Sequence, residues 1–519
     1  MTENGGGVSD RAAAFRIFAF LATLYLATFG GHLYTGDGIE MEKTAESLAL
    51  RGDLALTRDV DGRQWGYPGP DGRRYSPYAL GLSVLEAPFI AAAHAGASLL
   101  HLDEKPARKI AWAAAMSVNV FVTAATAALL FLLLAGIGET RRVAAGGSLL
   151  YGLGTMAWVY SRHDFAEPLA ALALLATVHF MLRAMLKGSD GAAVSLVVAG
   201  LWNGVSFFTK YQMVLDTPIF LAFLIGHPRF RERGPSGLAR NLILFLGPGL
   251  PFGILNLLVN HARFGTWLET GYANQGEIFA GWGFLPIGLF GLLLSTGKGL
   301  FWYSPVLLAA PFAWRAFHAR HREASLLCAS LAAATLFIFA PLWWWHGDWA
   351  WGPRYLVVVL PLMVAPISAW LGDRGRVSRG LIVLVCLALL VNFLGLSVNF
   401  VYYLVELKQM GMVHDDWNFI PGLSPIRFHA HVVLSNALSG LGLGSPDFVY
   451  RTWSDGVLEE RVISMATLEA AGREPDYFFF RPRESALEVA LFGGAGLLLL
   501  AAAAFQGRAV RRLLRAEDR

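Results

Sequence analysis

Apolar runs alternate with short polar loops along almost the whole chain, and most runs are long enough to cross a hydrocarbon core of about 30 Å. The pattern predicts spanning helices near residues 12–34, 109–135, 143–160, 166–186, 192–208, 212–226, 239–259, 300–316, 324–343, 355–371, 380–404 and 486–506. The first run follows Arg11, contains Arg16 and ends without a small-x-small cleavage pattern, so it reads as an uncleaved anchor. Two more apolar stretches, 79–101 and 281–294, disturb the count. Loop charge arranges them. With the N-terminus inside and neither stretch crossing, Arg141, Arg142, Lys187, Arg229, Arg231, Arg233, Arg240, Arg315, Arg320, Arg322, Arg374, Arg376, Arg379 and the tail from Arg508 to Arg519 all fall on the cytoplasmic side. A crossing at 79–101 alone would turn those arginines outward, so that stretch is expected to lie on the surface or re-enter.

Between the first two spans a different pattern occurs. From Tyr34 to Asp53, Met41, Ala45, Leu48 and Ala49 fall at i, i+4, i+7 and i+8, the spacing of an amphipathic helix. Such a helix is expected to lie along the membrane surface with Asp37, in Gly36-Asp37-Gly38, at its mouth. Asp is also a favoured N-cap, so a purely structural role for Asp37 stands beside a chemical one.

Composition agrees with a polytopic membrane protein: 55% of the 519 residues are hydrophobic, 15% are charged, and the mean hydropathy is +0.48. The net charge of +4 does not indicate nucleic acid, because the basic residues sit in short loops beside apolar runs. Cys328 and Cys386, both inside apolar runs, give no disulfide framework and no metal site. The glycine-rich N-terminus is expected to be disordered.

On this topology the segments 35–108, 161–164, 209–211, 260–299, 344–355 and 405–485 emerge together on the side away from the cytoplasm. They hold most of the unusual polar residues. Asp37 and Asp164 are carboxylates suited to a general base at a lipid surface, with N-capping as the alternative for Asp164. Lys210 and Arg354 are cations expected to face a cavity, because charge at membrane depth is costly. Arg73 and Lys298 are expected to snorkel to the interface, and Arg74 and Arg263 lie in the same outer segments. Trp302, Tyr303, Trp343, Trp344, Trp345, Trp349 and Trp351 read as interfacial anchors, some able to stack on a sugar or an isoprenoid. Carboxylates and cations together suit group transfer from a lipid phosphate: positive charge receives the leaving phosphate and a base activates the acceptor. That chemistry requires no cofactor, and no ligand spacing supports a divalent cation. His414-Asp415-Asp416 and His429-Ala430-His431 are the nearest candidates for a metal, the latter on the expectation of a strand that would place both imidazoles on one face.

In order and sidedness these motifs resemble the polyprenyl-phosphate-dependent glycosyltransferases of the GT-C fold, the group of the protein O-mannosyltransferases and the lipid A aminoarabinose transferase. Asp37 matches the acidic residue that opens the family's first outer helix, while Gly38 stands where the family commonly has a second acid, leaving Asp37 or Glu40 to carry the role. Tyr75-Ser76-Pro77-Tyr78 resembles the start of its second surface helix, Tyr160 to Asp164 its second acidic loop, Thr209-Lys210-Tyr211 its Thr-Lys turn, and Gly352-Pro353-Arg354-Tyr355 with Pro361 its Arg-Tyr helix start. The resemblance spans about residues 12–400. It implies an all-α, GT-C-like bundle of about twelve transmembrane helices and an integral membrane enzyme that inverts a sugar taken from a polyprenyl-phosphate donor. It further implies Asp37, Asp164 and Glu40 as catalytic candidates and Lys210, Arg354 and Arg74 as donor-phosphate ligands. The acceptor would be a lipid, a glycan or a protein, met on the extracytoplasmic side of the plasma or inner membrane, with both termini cytoplasmic.

The chain then divides into a catalytic membrane module, 1–404, an extracytoplasmic cap, 405–485, and a last helix with its basic tail, 486–519. Two rivals remain in view. A transporter or flippase would carry broken or polar helices near the midplane, whereas these runs are largely apolar. A polysaccharide polymerase or ligase would depend on the 405–485 loop and not on Asp37.

Overall fold

In lipid every backbone N–H and C=O must find its partner inside the chain, so apolar runs of spanning length fold as helices. The computed structural model describes residues 9–57, 62–186, 189–232, 234–272, 278–373, 378–454, 457–466, 468, 472, 474–480 and 486–515. The glycine-rich N-terminus, Lys187, Arg233, Arg374, Arg376 and the end of the basic tail lie outside the described residues.

The protein is an all-α polytopic membrane protein. Among the described residues, eight helices are long and apolar enough to cross a membrane: Gly81–Leu99, Glu104–Gly136, Glu167–Leu186, Gly191–Thr209, Gly234–Phe264, Arg322–Phe339, Arg379–Ser397 and Glu488–Leu514. Shorter apolar stretches, Tyr211–Gly226, Trp282–Leu294 and Arg354–Ser368, lie between them, as does Arg141–Gly154, and helix Asp10–Ala27 precedes them all. Gly81–Leu99, expected to lie on the surface, thus meets the spanning criterion by length and hydropathy. Its first turns are buried against helix Gly36–Arg51, where the Ser83 hydroxyl donates to the Met41 carbonyl at 2.8 Å.

Several expected spans are interrupted, each for a local reason. The 143–160 run breaks at Thr155, whose backbone is extended, and the following Met156 N–H is taken by the Ser304 hydroxyl at 3.0 Å. The 300–316 run is a short helix, a 3₁₀ turn at Pro305–Ala309 and a second helix, because Pro305 and Pro311 lack the N–H that would continue the ladder. The 380–404 run ends at Ser397, and Asn399 caps a new helix, Phe400–Gln409, by accepting the Val401 N–H at 3.0 Å.

The core lies where Asp10–Ala27, Glu104–Gly136, Arg141–Gly154 and Glu167–Leu186 converge. Small residues, among them Ala13, Ala115, Ala124, Ala144 and Ala170, let these backbones approach closely. By contrast Ile243, Leu250 and Ile254 of Gly234–Phe264 are exposed, as a lipid-facing surface requires.

The 405–485 segment folds as helices His414–Phe419 and Pro425–Gly440 and a hairpin of Phe448–Ser454 with Val457–Ile463. His429 and His431 therefore sit on a helix, not a strand, and point to opposite sides. His429 is buried against Trp351 with Nδ1 at 2.9 Å from the Leu394 carbonyl, and His431 Nε2 is 2.8 Å from the Pro446 carbonyl. Pro425, at the first helical turn, explains the difference: a fixed φ there favours a helix start. The segment is fastened to the membrane part by Gly297 N–H to the Asn418 carbonyl (3.0 Å) and by Ser424 Oγ to the Thr296 carbonyl (2.7 Å).

Candidate active site

The first outer helix, Gly36–Arg51, begins after Thr35, whose extended backbone and side chain make it the N-cap: its Oγ1 accepts the Gly38 N–H at 3.2 Å. Thr35 therefore caps the helix, and Asp37 lies in its first turn, where the helix dipole favours a negative charge. At the other end Gly52, with φ 68°, closes the helix in the left-handed conformation. The expected apolar stripe is present, but Met41 and Ala45 pack inside the protein against the neighbouring helix and do not lie on lipid. Protein–protein burial won because Gly81–Leu99 offers Leu82 to the same face.

Asp37 faces a cavity of about 550 Å³. Four of the six outer segments reach it, with Asp37, Met41, Tyr67 and Tyr78 from the first, Thr209 to Gln212 at the third, Tyr272 and Ile278 from the fourth, and Trp344, Asp348, Arg354 and Tyr355 from the fifth, while Phe165 to Glu167 enter just beyond the second. None of the described residues of 405–485 lines it. Convergence of these segments on one space agrees with their common sidedness in the sequence.

Two ion pairs stand on the cavity wall. Arg354 Nη1 lies 2.7 Å from Asp37 Oδ2, and Lys210 Nζ lies 2.6 Å from Glu167 Oε1. The two cations also share the face of Tyr355, with the Arg354 guanidinium carbon at 5.2 Å and Lys210 Nζ at 5.0 Å from its centroid. Arg354 rests in addition on Phe165 at 4.9 Å. Its stem passes over Gly347, where a Cβ would lie 2.6 Å from Arg354 Cγ. Tyr78 lines the cavity with Asp37, and burial together with that carboxylate raises its pKa well above the ordinary value. Arg263 holds Tyr78 from behind, donating to the Ser76 and Tyr78 carbonyls at 2.7 and 2.8 Å.

Asp164 is buried beside this wall and does not line it. Its Oδ2 accepts both the Tyr34 and Thr35 N–H groups at 3.0 Å, so it secures the entry to the Asp37 helix and not the 166–186 helix. Gly38 makes this possible: a Cβ there would sit 1.9 Å from Asp164 Oδ2. The space that a side chain at position 38 would take is thus filled by a carboxylate from another loop. Burial raises the Asp164 pKa to about 6, against the lowering effect of the two N–H donors.

Glu40 is turned to the loop behind the helix, where Oε1 accepts the Gly66 N–H at 3.0 Å. Burial lifts its pKa to about 7. Arg74 donates from Nε to the Trp65 carbonyl at 2.9 Å and from Nη2 to Gly66, fixing the Tyr67–Pro68/Arg74–Tyr75 hairpin. Neither Glu40 nor Arg74 lines the cavity, so Asp37, Lys210 and Arg354 are the sequence candidates that the structure brings together there. Lys298, expected to snorkel, is instead buried, because two backbone carbonyls receive its ammonium. Arg73 is exposed and pairs with Asp71 at 2.7 Å. Trp345 and Trp351 are core residues, not interfacial anchors, while Trp344 lines the cavity.

Sequence reasoning passed over Glu167, Tyr78 and Tyr272. A signal for Glu167 existed: a lysine at membrane depth needs a counter-ion, and Glu167-Pro168 opens a span on the same side. It also passed over Asp476, which receives Arg162 Nη2 at 2.9 Å, Tyr34 Oη at 2.8 Å and His32 Nε2 at 2.8 Å and so ties the outer segment to the chain that delivers Asp37.

No family model matches the sequence, and no curated protein matches it. Among solved structures the chain is similar to the crystal structure of ArnT from Cupriavidus metallidurans bound to undecaprenyl phosphate, with a TM-score of 0.46 and 14% identity over 83% of this chain and 71% of that one. The same protein in the apo state gives a TM-score of 0.45 and 16% identity over 82% and 70% of the two chains. At such identity the likeness concerns the arrangement of helices, and any assignment of chemistry rests on the side chains themselves.

Proposed function

We propose that the protein is an integral membrane glycosyltransferase that moves a sugar from a polyprenyl-phosphate donor to an extracytoplasmic lipid, glycan or protein acceptor, with inversion. The observation that carries the reading is the Asp37–Arg354 pair at 2.7 Å on the wall of a cavity that also holds Lys210. A carboxylate beside two cations, in a space lined by aromatic rings, provides for both halves of the reaction. The acceptor oxygen forms the new bond to the anomeric carbon while its proton passes to Asp37. The bond from that carbon to the phosphate oxygen breaks, and its electron pair leaves with the phosphate. Arg354 and Lys210 stabilise the charge that gathers there. Asp164 holds the turn that presents Asp37. In the membrane the cavity opens away from the cytoplasm and both termini lie inside, in keeping with the arginine-rich loops.

The test is transfer of radiolabelled sugar from a panel of synthetic polyprenyl-phosphate sugars in membranes that contain wild-type chain or Asp37→Asn, with folding checked by size-exclusion chromatography in detergent. Transfer by wild type and a loss of at least about 1000-fold in the folded variant is expected, since general base and charge partner are removed together. Equal transfer by both would move the base elsewhere, and no transfer from any donor by wild type would overturn the reading.

A further inference from the structure

Lys298 is buried in the turn Ser295–Gly299, outside the spanning helices. Its Nζ donates to the Asp348 carbonyl and to the Ala350 carbonyl, each at 2.7 Å. The turn that receives it is unusual: Gly347 has φ 69°, Asp348 has φ 54° and Gly352 has φ 68°. A left-handed aspartate persists only where its surroundings hold it. Here the Lys298 bonds hold its carbonyl, and its own N–H donates to His346 Nδ1 at 2.9 Å. The same turn seats Arg354, whose stem lies over Gly347. The Ser295–Gly299 turn is itself fixed on its far side: Tyr303 Oη donates to the Gly297 carbonyl at 2.7 Å, and Gly297 N–H donates to Asn418 of the outer segment.

We propose that Lys298 is a positioning residue that sets Arg354 against Asp37 by holding the 347–350 turn, so that the outer segment supports the reaction without lining its cavity. The inference rests on the glycosyltransferase reading for its catalytic consequence, while its structural half stands apart from it. The mechanism is geometric. With the ammonium in place both carbonyls are satisfied and the Gly347 platform is fixed under Arg354. Without it the turn relaxes, and the guanidinium leaves the 2.7 Å position opposite Asp37.

The charged groups that act on the ammonium are Asp348 and Arg354, the titratable His346 adjoins the same turn through the Asp348 N–H, and the Ser295 hydroxyl and Asn418 carbonyl, which do not titrate, fix the backbone of the Lys298 turn. Burial lowers the Lys298 pKa to about 7, with Arg354 lowering it further and Asp348 opposing. Deprotonation above about pH 7 leaves two N–H donors for the two carbonyls but removes the charge that strengthens both bonds, so the hold on the turn weakens and turnover falls as pH rises through that range. Lys298→Gln keeps N–H donors and cannot titrate.

Two measurements on the full chain in detergent test the proposal. The first is a double-mutant cycle of Lys298→Met with Asp37→Asn read by thermal unfolding, which needs no substrate. If Lys298 holds Arg354 in place, the fall in Tm caused by Asp37→Asn shrinks to less than half in the Lys298→Met background. Equal falls in both backgrounds overturn the proposal. Should Lys298→Met not fold, Lys298→Gln with Asp37→Asn replaces it in the cycle; because its amide donors replace the ammonium only in part, a smaller reduction in the same direction is expected, and equal falls overturn the proposal.

The second is transfer of labelled sugar against pH. Lys298→Met lowers kcat on the order of 100-fold with a smaller change in donor KM, as for a misplaced catalytic group. Lys298→Gln restores part of kcat and lacks the alkaline limb near pH 7. A Lys298→Gln profile with the wild-type limb overturns the proposal. Absence of transfer by wild type from every donor defeats the glycosyltransferase reading alone, and the thermal cycle then decides for or against Lys298.

Discussion

Replacing Gly38 with alanine adds one methyl group to the most crowded point of the outer helix. The new Cβ would lie 1.9 Å from Asp164 Oδ2, 2.1 Å from Cγ and 2.2 Å from Cβ. No rotamer of a buried aspartate clears three such contacts, so either the helix start or the Asp164 loop must move. Both routes break the hydrogen bonds from Tyr34 and Thr35 to Oδ2. Each such bond to a charged acceptor is worth about 1.5–3 kcal/mol, and overpacking adds about 1–3 kcal/mol. Alanine returns up to about 1 kcal/mol through helix propensity. Because the losses share one relaxation they do not add fully, and about 3 kcal/mol of net destabilisation is expected. Asp164→Gly removes all three of these atoms, so Gly38→Ala in that background is nearly neutral and the coupling between the sites is about 2 kcal/mol or more. Thermal unfolding of the four purified chains in detergent measures it, with sugar transfer recorded alongside because Asp37 adjoins Gly38. A Gly38→Ala chain as stable as wild type, or additive effects in the double variant, would refute the claim that Asp164 occupies the space beside Gly38.

Two further outcomes are expected. Burial raises Glu40 from its ordinary 4.5 to about 7, so its ionised form is disfavoured in the fold: the stability is complete below about pH 4.5 and declines as pH rises toward 7. Glu40→Gln keeps an acceptor for Gly66 N–H and should gain about 2 kcal/mol at pH 8, discounted for partial exposure, and almost nothing at pH 4; an equal change at both pH values would contradict this. Asp476→Asn leaves Arg162 buried without its charge partner and should destabilise by about 3 kcal/mol, with reduced transfer because Tyr34 and the Asp37 turn lose their anchor; unchanged Tm would remove Asp476 from the supporting frame.

Much of the helical frame was legible because lipid leaves the chain few choices: a run of apolar residues at spanning length has to satisfy its own backbone. The breaks at Thr155 and Val398 were not legible. Each depends on a cap or a distant hydroxyl that hydropathy does not register, as with Ser304 Oγ on Met156 N–H. Within the site, charge at membrane depth pointed to Asp37, Lys210 and Arg354, because an ionised group there needs a partner or a cavity. What one sequence could not supply was which partner. Lys210 took Glu167, Lys298 took two carbonyls, and Arg74 took the backbone of its own hairpin. A short-range pattern does not separate these cases, since the partners of Lys210 and Lys298 lie 43 to 52 residues away while those of Arg74 lie across its own hairpin.

The pairing of the two cations has a chemical consequence for the proposed reaction. A sugar joined to a polyprenyl phosphate is a phosphodiester with one negative charge, whereas the departing polyprenyl phosphate monoester acquires most of a second. Over the same step Asp37 accepts the acceptor's proton and becomes neutral. The site's total charge is unchanged, but one negative charge has moved from the carboxylate to the phosphate. Arg354, at 2.7 Å from Asp37, is the cation whose best partner changes as a result. Lys210, held by the buried Glu167, keeps its place and supplies a fixed positive charge. In the proposed reaction the two cations would therefore divide the work: Lys210 would stabilise the phosphate throughout, and the Arg354 guanidinium would turn toward it as Asp37 is protonated. A guanidinium that swings in this way is best placed over a ring face, which guides it without binding it in one geometry, and Arg354 lies over both Phe165 and Tyr355.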